Sequence, residues 1–181
     1  MKPWRQVGET ETIYDGWRKV FRKVFITNSG KEFIAEISDR DGSRAAAVIA
    51  LTEDNQVVVA RQFRVGPMRV MDELPGGMVE VGEDPEKAVI RELREETGYI
   101  AGKITKLGTV SKSSYMATEW HYFLAEDCRL GPEGVNLDEE EEIEVDTISI
   151  AELIANGKGG NITDVEAVFF AYETLKEREG L

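Results

Sequence analysis

The sequence contains almost none of the thiol and imidazole side chains on which most zinc sites are built. Cys128 is its only cysteine and His121 its only histidine. A disulfide within the chain is therefore excluded, and a zinc site is disfavoured because such sites combine several thiolates or imidazoles. His121 lies in the apolar segment Trp120 to Leu124, so we interpret it as a structural residue.

Long apolar runs and an excess of positive charge are also missing. No run of about 18 apolar residues occurs, and the N-terminal residues do not resemble a secretory signal, so we expect a cytoplasmic protein without a membrane partner. Lys and Arg total 22 against 35 Asp and Glu, and the net charge is -13. This balance disfavours nucleic acid as a partner, and an anionic ligand would need local arginines or bound cations to reverse the field.

The 181 residues, 41% of them hydrophobic, suit one compact domain with a small appended element at the N terminus. Short β-rich runs separated by polar turns come first, and helical segments follow, which predicts an α+β or mixed α/β fold. The predicted strands cover 17–27, 32–38, 44–51, 56–64, 101–109, 120–125 and 143–148, and the predicted helices cover 85–97, 150–156 and 164–178.

Capping residues mark the predicted helix ends. Asp84 is suited to the N-cap of the first helix, Pro85 to its first turn, and Gly98 to the residue that ends it. The segments Ser149–Glu152 and Thr163–Glu166 are capping boxes, in which a hydroxyl side chain precedes a glutamate by three residues. They predict the starts of the two later helices.

A cluster of carboxylates on the first helix carries the most information about function. Glu92, Glu95 and Glu96 are spaced so that they share one helix face, where like charges repel unless a cation lies between them. Oxygen ligands alone favour a hard ion, Mg²⁺ or Mn²⁺, over zinc. Arg91 precedes Glu95 by four residues and is placed to hold its carboxylate. The alternative is an ordinary solvated acidic face.

The spacing around these glutamates resembles the Nudix box. Gly77 is followed after five residues by Glu83, then after seven by Arg91-Glu92-Leu93, and the pattern continues through Glu95-Glu96 to Gly98. Tyr99 stands where the pattern usually has an aliphatic residue, a departure that concerns packing rather than chemistry. The resemblance extends from about residue 17 to 175 and is to the ADP-ribose pyrophosphatase branch, which includes hydrolases of other nucleoside diphosphate sugars.

This resemblance implies an α/β/α sandwich with a mixed β-sheet, the Nudix fold, preceded by a small N-terminal antiparallel β-domain. Residues 1–43 would form the N-terminal element for dimerisation and substrate binding, and residues 44–181 the hydrolase domain. In this branch the N-terminal element is commonly exchanged across a homodimer. We therefore expect a homodimer as well.

The resemblance also implies roles for individual residues. Glu92 and Glu96 would bind the metal, Glu95 would join them through the metal or a bound water, and Arg91 and Glu83 would support the cluster. The full implied set is Gly76 (through its carbonyl), Glu92, Glu95, Glu96 and Glu141 for the metal; Glu139, Glu95 and Arg91 for catalysis, with Glu139 as the base; and Arg64, Arg61, Glu73, Trp4 and Trp17 for the substrate.

Several of these residues have ordinary structural alternatives. Arg61 and Arg64 could be surface charges, Glu73 could simply end a strand, and either tryptophan could belong to a core or an interface. An acidic loop without a chemical role is the alternative for Glu139 and Glu141.

The implied reaction is the metal-dependent hydrolysis of the diphosphate of a nucleotide sugar, with ADP-ribose the first expectation. ADP-ribose hydrolases often have a proline beyond the box, and 111–116 contains none, so GDP-mannose and other nucleotide sugars stay open. The sequence also leaves open a Nudix hydrolase of dinucleoside polyphosphates, coenzyme A or oxidised nucleotides, a sensor of nucleotide sugars that does not hydrolyse them, and a structural dimerisation module. The intact carboxylate cluster argues against the sensor and the dimerisation module.

Overall fold

The structure is a computed structural model that describes residues 1–137 and 142–180. It divides into two compact units. The first contains Met1–Ser43 and Ser111–Glu119, and the second contains Arg44–Val110 and the described part of Trp120–Leu181.

The first unit is a three-stranded antiparallel sheet in the order β1-β2-β3. Its strands are β1 (Arg5–Asp15), β2 (Lys19–Ile26) and β3 (Glu32–Ser38). Strand β1 is largely exposed and has no alternation of apolar and polar residues. Its backbone pairing with β2 therefore defines it, and no pattern in the sequence predicts it.

The segment 111–119 is held in the first unit by backbone hydrogen bonds. The Ser38 amide donates to the Tyr115 carbonyl, and the Ala117 amide donates to the Ser38 carbonyl, both at 2.9 Å. The Thr118 hydroxyl donates to the Asp39 carboxylate at 2.7 Å. The predicted division of the chain places this segment in the second domain, 44–181. Hydrogen bonds between residues so distant in sequence leave no local pattern that could predict the contact with 1–43.

The second unit contains a mixed eight-stranded sheet, whose main path runs β11-β5-β4-β10-β8. Beside this path, β6 pairs with β5, β7 with β4, and β9 with β10. The strands are β4 (Arg44–Thr52), β5 (Gln56–Arg64), β6 (Arg69–Glu73), β7 (Gly76–Met78), β8 (Tyr99–Ile100), β9 (Lys103–Ser111), β10 (Glu119–Leu130) and β11 (Glu144–Ser149). The helices are α1 (Pro85–Thr97), α2 (Ile150–Gly159) and α3 (Val165–Glu179).

Buried residues of β4 alternate between two hydrophobic cores. Ala46, Val48 and Ala50 pack in the core under α1, which includes Val89 and Leu93. The intervening residues of the same strand, Ala47, Ile49 and Leu51, pack in the core that contains α2 and α3. Because side chains of a strand point alternately to opposite faces, the sheet lies between two helical layers. The α/β/α sandwich is confirmed.

Several elements differ from the predictions. Strands β6, β7 and β8 were not predicted, since they have only five, three and two residues and are defined by pairing with β5, β4 and β10. Thr163 was predicted as an N-cap, but α3 begins with Asp164 as its N-cap residue. The Thr163 hydroxyl donates to the Asp164 carboxylate, which also accepts from the buried Tyr122 hydroxyl, each at 3.2 Å.

No helix within residues 1–137 or 142–180 combines the length and the apolar character needed to cross a bilayer.

Truncation of Leu93 in α1 tests the core beneath that helix. Leu93 is fully buried, so Leu93→Ala should lower the free energy of unfolding by about 2–5 kcal/mol through lost burial and the cavity left behind. Ile90→Ala on the same helix is the control, since Ile90 is 41% exposed and should lose less than about 1 kcal/mol. Urea unfolding at equilibrium measures both, and equal losses would contradict the placement of α1.

Candidate active site

The site begins where β7 lies against β4. Gly76 and Gly77 pair with Ala47 and Ala46. A Cβ atom on Gly76 would lie 2.3 Å from the Ala46 carbonyl oxygen, so the close approach of the two backbones requires glycine there. Val79 follows and donates its amide to the Arg44 carbonyl at 2.9 Å. These contacts fix the glycine-rich segment against the sheet.

Helix α1 has the ends that its sequence predicts. The Asp84 carboxylate accepts a hydrogen bond from the Glu86 amide at 2.9 Å, and Pro85 occupies the first turn. At the other end, Gly98 adopts a left-handed conformation with φ of 73° and donates its amide to the Arg94 carbonyl at 2.8 Å. The helix therefore holds the three box glutamates at fixed positions opposite the glycine-rich segment.

Arg91 stands among three of the box carboxylates. Its Nη1 donates to Glu92 Oε1 at 2.8 Å and to Glu95 Oε2 at 3.0 Å. Its Nε and Nη2 donate to the two oxygens of Glu83 at 3.2 and 3.3 Å, and Nη2 also approaches the Met78 carbonyl at 3.5 Å. One guanidinium thus joins the loop before α1 to two glutamates of the helix.

These contacts shift the pKa values of the paired groups. The hydrogen bonds from Arg91, with a backbone bond from the Glu80 amide, hold the pKa of Glu83 below its usual value. The bond to Glu83, followed by those to Glu95 and Glu92, raises the pKa of Arg91 against the opposing effect of burial. Both groups are therefore charged over the whole neutral range.

Glu96 and Glu92 both lie against the glycine-rich segment. The buried Glu96 accepts a hydrogen bond from the Gly76 amide through Oε2 at 2.9 Å. A Cβ atom on Gly77 would lie 2.6 Å from Glu92 Oε1, so this glycine leaves the space that the Glu92 carboxylate occupies. The two carboxylates that the resemblance assigns to metal binding therefore meet the same short segment.

A cleft of about 520 Å³ opens between the glycine-rich segment and α1. It is lined by Gly76, Gly77, Met78, Glu80, Arg91, Glu92, Glu95, Glu96 and Asn136. The predicted metal residues Gly76, Glu92, Glu95 and Glu96 are thus brought together. Carboxylate oxygens are the ligands that hard divalent cations prefer, so the chemistry of this residue set fits such an ion.

The carboxylates of the cleft are turned towards protein donors. In 1–137 and 142–180, no three Asp, Glu, His or Cys side chains already stand in ligand geometry around one point. Arg91 draws Glu92 and Glu95 to itself, and the Gly76 amide holds Glu96. Binding of a cation at this cleft would therefore require these side chains to reorient.

Arg64 and Glu73 form an ion pair on the neighbouring strands β5 and β6. Glu73 is 2% exposed, and its Oε2 accepts from Arg64 Nε at 2.6 Å and also from Nη2. The hydrogen bond to Glu73 raises the pKa of Arg64, and the charges of Glu96 and Asp164 add to the effect. The buried Glu73 Oε1 has no hydrogen-bond partner among the described residues. Glu73 thus holds Arg64, which is about half exposed and has room to meet a ligand.

The other predicted substrate residues make their contacts within their own units. Arg61 donates to Asp72 at 2.8 Å and to Asp146 at 2.9 Å, so it joins β5 to two of its neighbours, β6 and β11. Trp4 and Trp17 belong to the first unit, where Trp4 packs edge-on against Phe33 and Trp17 is exposed beside Arg18. Their roles in substrate binding stay predictions.

The predicted base and one predicted metal contact, Glu139 and Glu141, lie outside the described residues. Asn136, shortly before them, lines the cleft and was not predicted. No periodic pattern or motif marks it, because its place in the cleft results from how its loop packs on α1.

A model of the NUDIX domain family matches residues 42–167. The chain belongs to the Nudix family. The relationship confirms the expectation of a pyrophosphohydrolase acting on phosphoanhydride bonds, and Nudix hydrolases generally use divalent metal ions.

Two curated Nudix relatives are similar over most of their length. An ADP-ribose pyrophosphatase of Bacillus subtilis (strain 168) is 36% identical over 151 residues, 82% of this chain and 80% of that protein. A GDP-mannose pyrophosphatase of Citrobacter koseri is 33% identical over 142 residues, 74% and 73% of the two chains. The crystal structure of an ADP compounds hydrolase matches with a TM-score of 0.80 at 22% identity, covering 98% of this chain and 97% of the other. It supports the Nudix fold.

The two adjacent glycines should respond differently to alanine. Gly77→Ala displaces the flexible Glu92 carboxylate, so hydrolysis by this Nudix enzyme should fall about tenfold to a hundredfold with little change in Tm. Gly76→Ala meets the rigid backbone of β4 and should lower Tm clearly. Gly66→Ala, which enters open space, is the control for both. Thermal unfolding and steady-state rates test the contrast, and unchanged activity in Gly77→Ala would contradict it.

The ion pair between Glu83 and Arg91 should make stability depend on pH. Folding lowers the pKa of Glu83, so its ion pair contributes fully to the free energy of unfolding at pH values above about 4.5. This contribution disappears as the pH falls through the lowered pKa of the folded state. Glu83→Gln should therefore cost about 1–2 kcal/mol of unfolding free energy at pH 7 and much less near pH 3. Denaturant unfolding at both pH values measures this, with Glu53→Gln in an exposed turn as the control. A difference that does not shrink in acid would refute the assignment.

Proposed function

We propose that the protein hydrolyses the diphosphate of nucleoside diphosphate sugars in a reaction that depends on Mg²⁺, with Mn²⁺ as the alternative ion. The observation that carries the proposal is the cleft in which Glu92, Glu95 and Glu96 of α1 face Gly76 and Gly77. The relatives that act on ADP-ribose and GDP-mannose support this substrate class. ADP-ribose is the first candidate and GDP-mannose the second.

Within this proposal, Glu92 and Glu96 would hold the cation, with Glu95 and the Gly76 carbonyl as further oxygen ligands. A divalent ion there would supply charge neutralisation at the diphosphate and activation of the attacking water. Arg91 keeps Glu92 and Glu95 beside each other in the cleft through the hydrogen bonds from its Nη1, and the two carboxylates turn from it to meet the cation. Such positioning is effective in phosphoryl transfer, where most of the rate comes from alignment and charge stabilisation.

The remaining steps use other predicted residues. Glu139, outside the described residues, would accept the proton of the attacking water, whose oxygen bonds to one phosphorus as the bridging phosphorus–oxygen bond breaks. Arg64, held by Glu73, would donate to diphosphate oxygens. Glu141 as a further metal contact and the two tryptophans as nucleobase contacts complete the proposal. From ADP-ribose the products are AMP and ribose 5-phosphate.

The proposal also includes a homodimer with exchanged N-terminal units, which the family resemblance implies. It includes a cytoplasmic location, which we expect from the sequence.

Product analysis tests the substrate class. The purified protein is incubated with ADP-ribose, GDP-mannose, other nucleotide sugars, diadenosine polyphosphates and coenzyme A, with Mg²⁺ and with EDTA. We expect a nucleoside monophosphate and a sugar phosphate, formed only with the metal. Cleavage confined to the polyphosphates or coenzyme A would move the protein to another Nudix activity. Binding of a nucleotide sugar without cleavage would favour a sensor.

The role of Glu96 is tested by Glu96→Gln. The amide oxygen can still accept the Gly76 hydrogen bond, so the fold should be kept, while the lost charge should lower kcat/KM at least about a hundredfold and weaken Mn²⁺ binding. Glu86→Gln, in the exposed first turn of the same helix, is the matched control and should behave as the wild type. Steady-state kinetics, Mn²⁺ titration and Tm are compared. A fully active Glu96→Gln would remove the metal assignment.

A further inference from the structure

The loop after β10 is attached to the C-terminal end of α1. The Gly131 amide donates to the Gly98 carbonyl at 2.8 Å, and the Asn136 amide donates to the Glu95 carbonyl, also at 2.8 Å. Glu95 lies in the last turn of α1, where carbonyls have no partner within the helix, so the loop satisfies a group that the helix leaves open. These bonds place residue 136 beside the box glutamates.

Asn136 lines the cleft together with Glu92, Glu95 and Glu96. Within 1–137 and 142–180, its amide group makes no hydrogen bond, so its backbone is fixed while its side chain is available. A primary amide supplies two donors and one acceptor without carrying charge. Asn136 is the one neutral amide side chain among the described residues that line this cleft.

The other side-chain donor of the cleft is already used. A guanidinium has five N–H donors. Those of Arg91 are directed to Glu83, Glu92, Glu95 and the Met78 carbonyl. The remaining described lining residues are glycines, Met78 and four glutamates, whose side chains offer no donor when ionised. Among the described lining residues, the amide of Asn136 is thus the only uncommitted side-chain donor.

We infer that Asn136 is a substrate-binding residue whose side-chain amide donates a hydrogen bond to a non-bridging phosphate oxygen. This inference rests on the proposed function, because it takes the ligand to be a nucleoside diphosphate sugar. In a cleft rich in carboxylates, a neutral donor approaches the phosphate without pairing with a glutamate as a lysine or arginine would. The hydrogen bond from the Asn136 backbone amide to the Glu95 carbonyl holds residue 136 beside the last turn of α1.

The experiment measures binding separately from hydrolysis. The ligand is an ADP-ribose analogue with a methylene bridge between the phosphorus atoms, which cannot be hydrolysed, and its dissociation constant is measured by calorimetry with Mg²⁺ present. Asn136→Ala removes the amide, and Asn136→Asp replaces the donor with a carboxylate of the same shape. Val135→Ala, at the exposed neighbouring residue, is the matched control for disturbance of the loop. Both Asn136 variants keep the backbone amide, so Tm should stay close to the wild-type value.

We expect binding about tenfold weaker in Asn136→Ala, and weaker still in Asn136→Asp, where charge repulsion is added to the lost bond. Val135→Ala should bind as the wild type does, and Mn²⁺ affinity without nucleotide should be unchanged in Asn136→Ala. Equal analogue affinity in all variants would overturn the inference, as would weaker Mn²⁺ binding in Asn136→Ala, which would make the residue a metal ligand.

The wild-type protein separates the two proposals. If it binds the analogue but cleaves no member of the substrate panel, the proposed hydrolysis fails and the variants still decide the role of Asn136. If it binds no analogue, the nucleotide-sugar assignment fails and the phosphate contact of Asn136 fails with it.

Discussion

The site depends on the ion pairs of Arg91. A single guanidinium holds Glu83 of the preceding loop and Glu92 and Glu95 of α1, at distances of 2.8 to 3.3 Å. Without it, carboxylates gathered on one helix face would repel each other and spread apart. With it, they stay close in a cleft where a cation can compete for them. Arg91 thus stabilises the junction between the loop and α1 and also keeps the cleft carboxylates close together.

The balance of charge across the site follows from this arrangement. The chain carries a net charge of -13, yet the substrate class proposed for it is anionic. Arg64 is paired with the buried Glu73 on β5 and β6, and its charge also acts on Glu96 of α1, so one arginine lies within electrostatic reach of the cleft carboxylates. In the proposed reaction, the cleft glutamates would meet a cation while Arg64 would meet the diphosphate.

The sequence predicted best what is determined locally. The bounds of α1 follow from Asp84, Pro85 and Gly98, and the cleft glutamates follow from the spacing of the box. What depends on distant partners could not be predicted. Strands β1, β6 and β7 exist through pairing, α3 starts at a residue whose carboxylate meets Tyr122, and Asn136 reaches the cleft because its loop closes the end of α1. None of these contacts leaves a periodic signal near the residue concerned.

Strand β4 has a consequence for how this fold can change. Its successive residues serve the core under α1 and the core of α2 and α3 in turn. A substitution there affects one side of the sheet, but the insertion or deletion of a single residue would exchange the two sets of side chains along the rest of the strand. This strand can therefore vary in composition but hardly in length. Natural variation in length should be confined to the connecting loops, where new substrate preferences can arise without disturbing either helical layer.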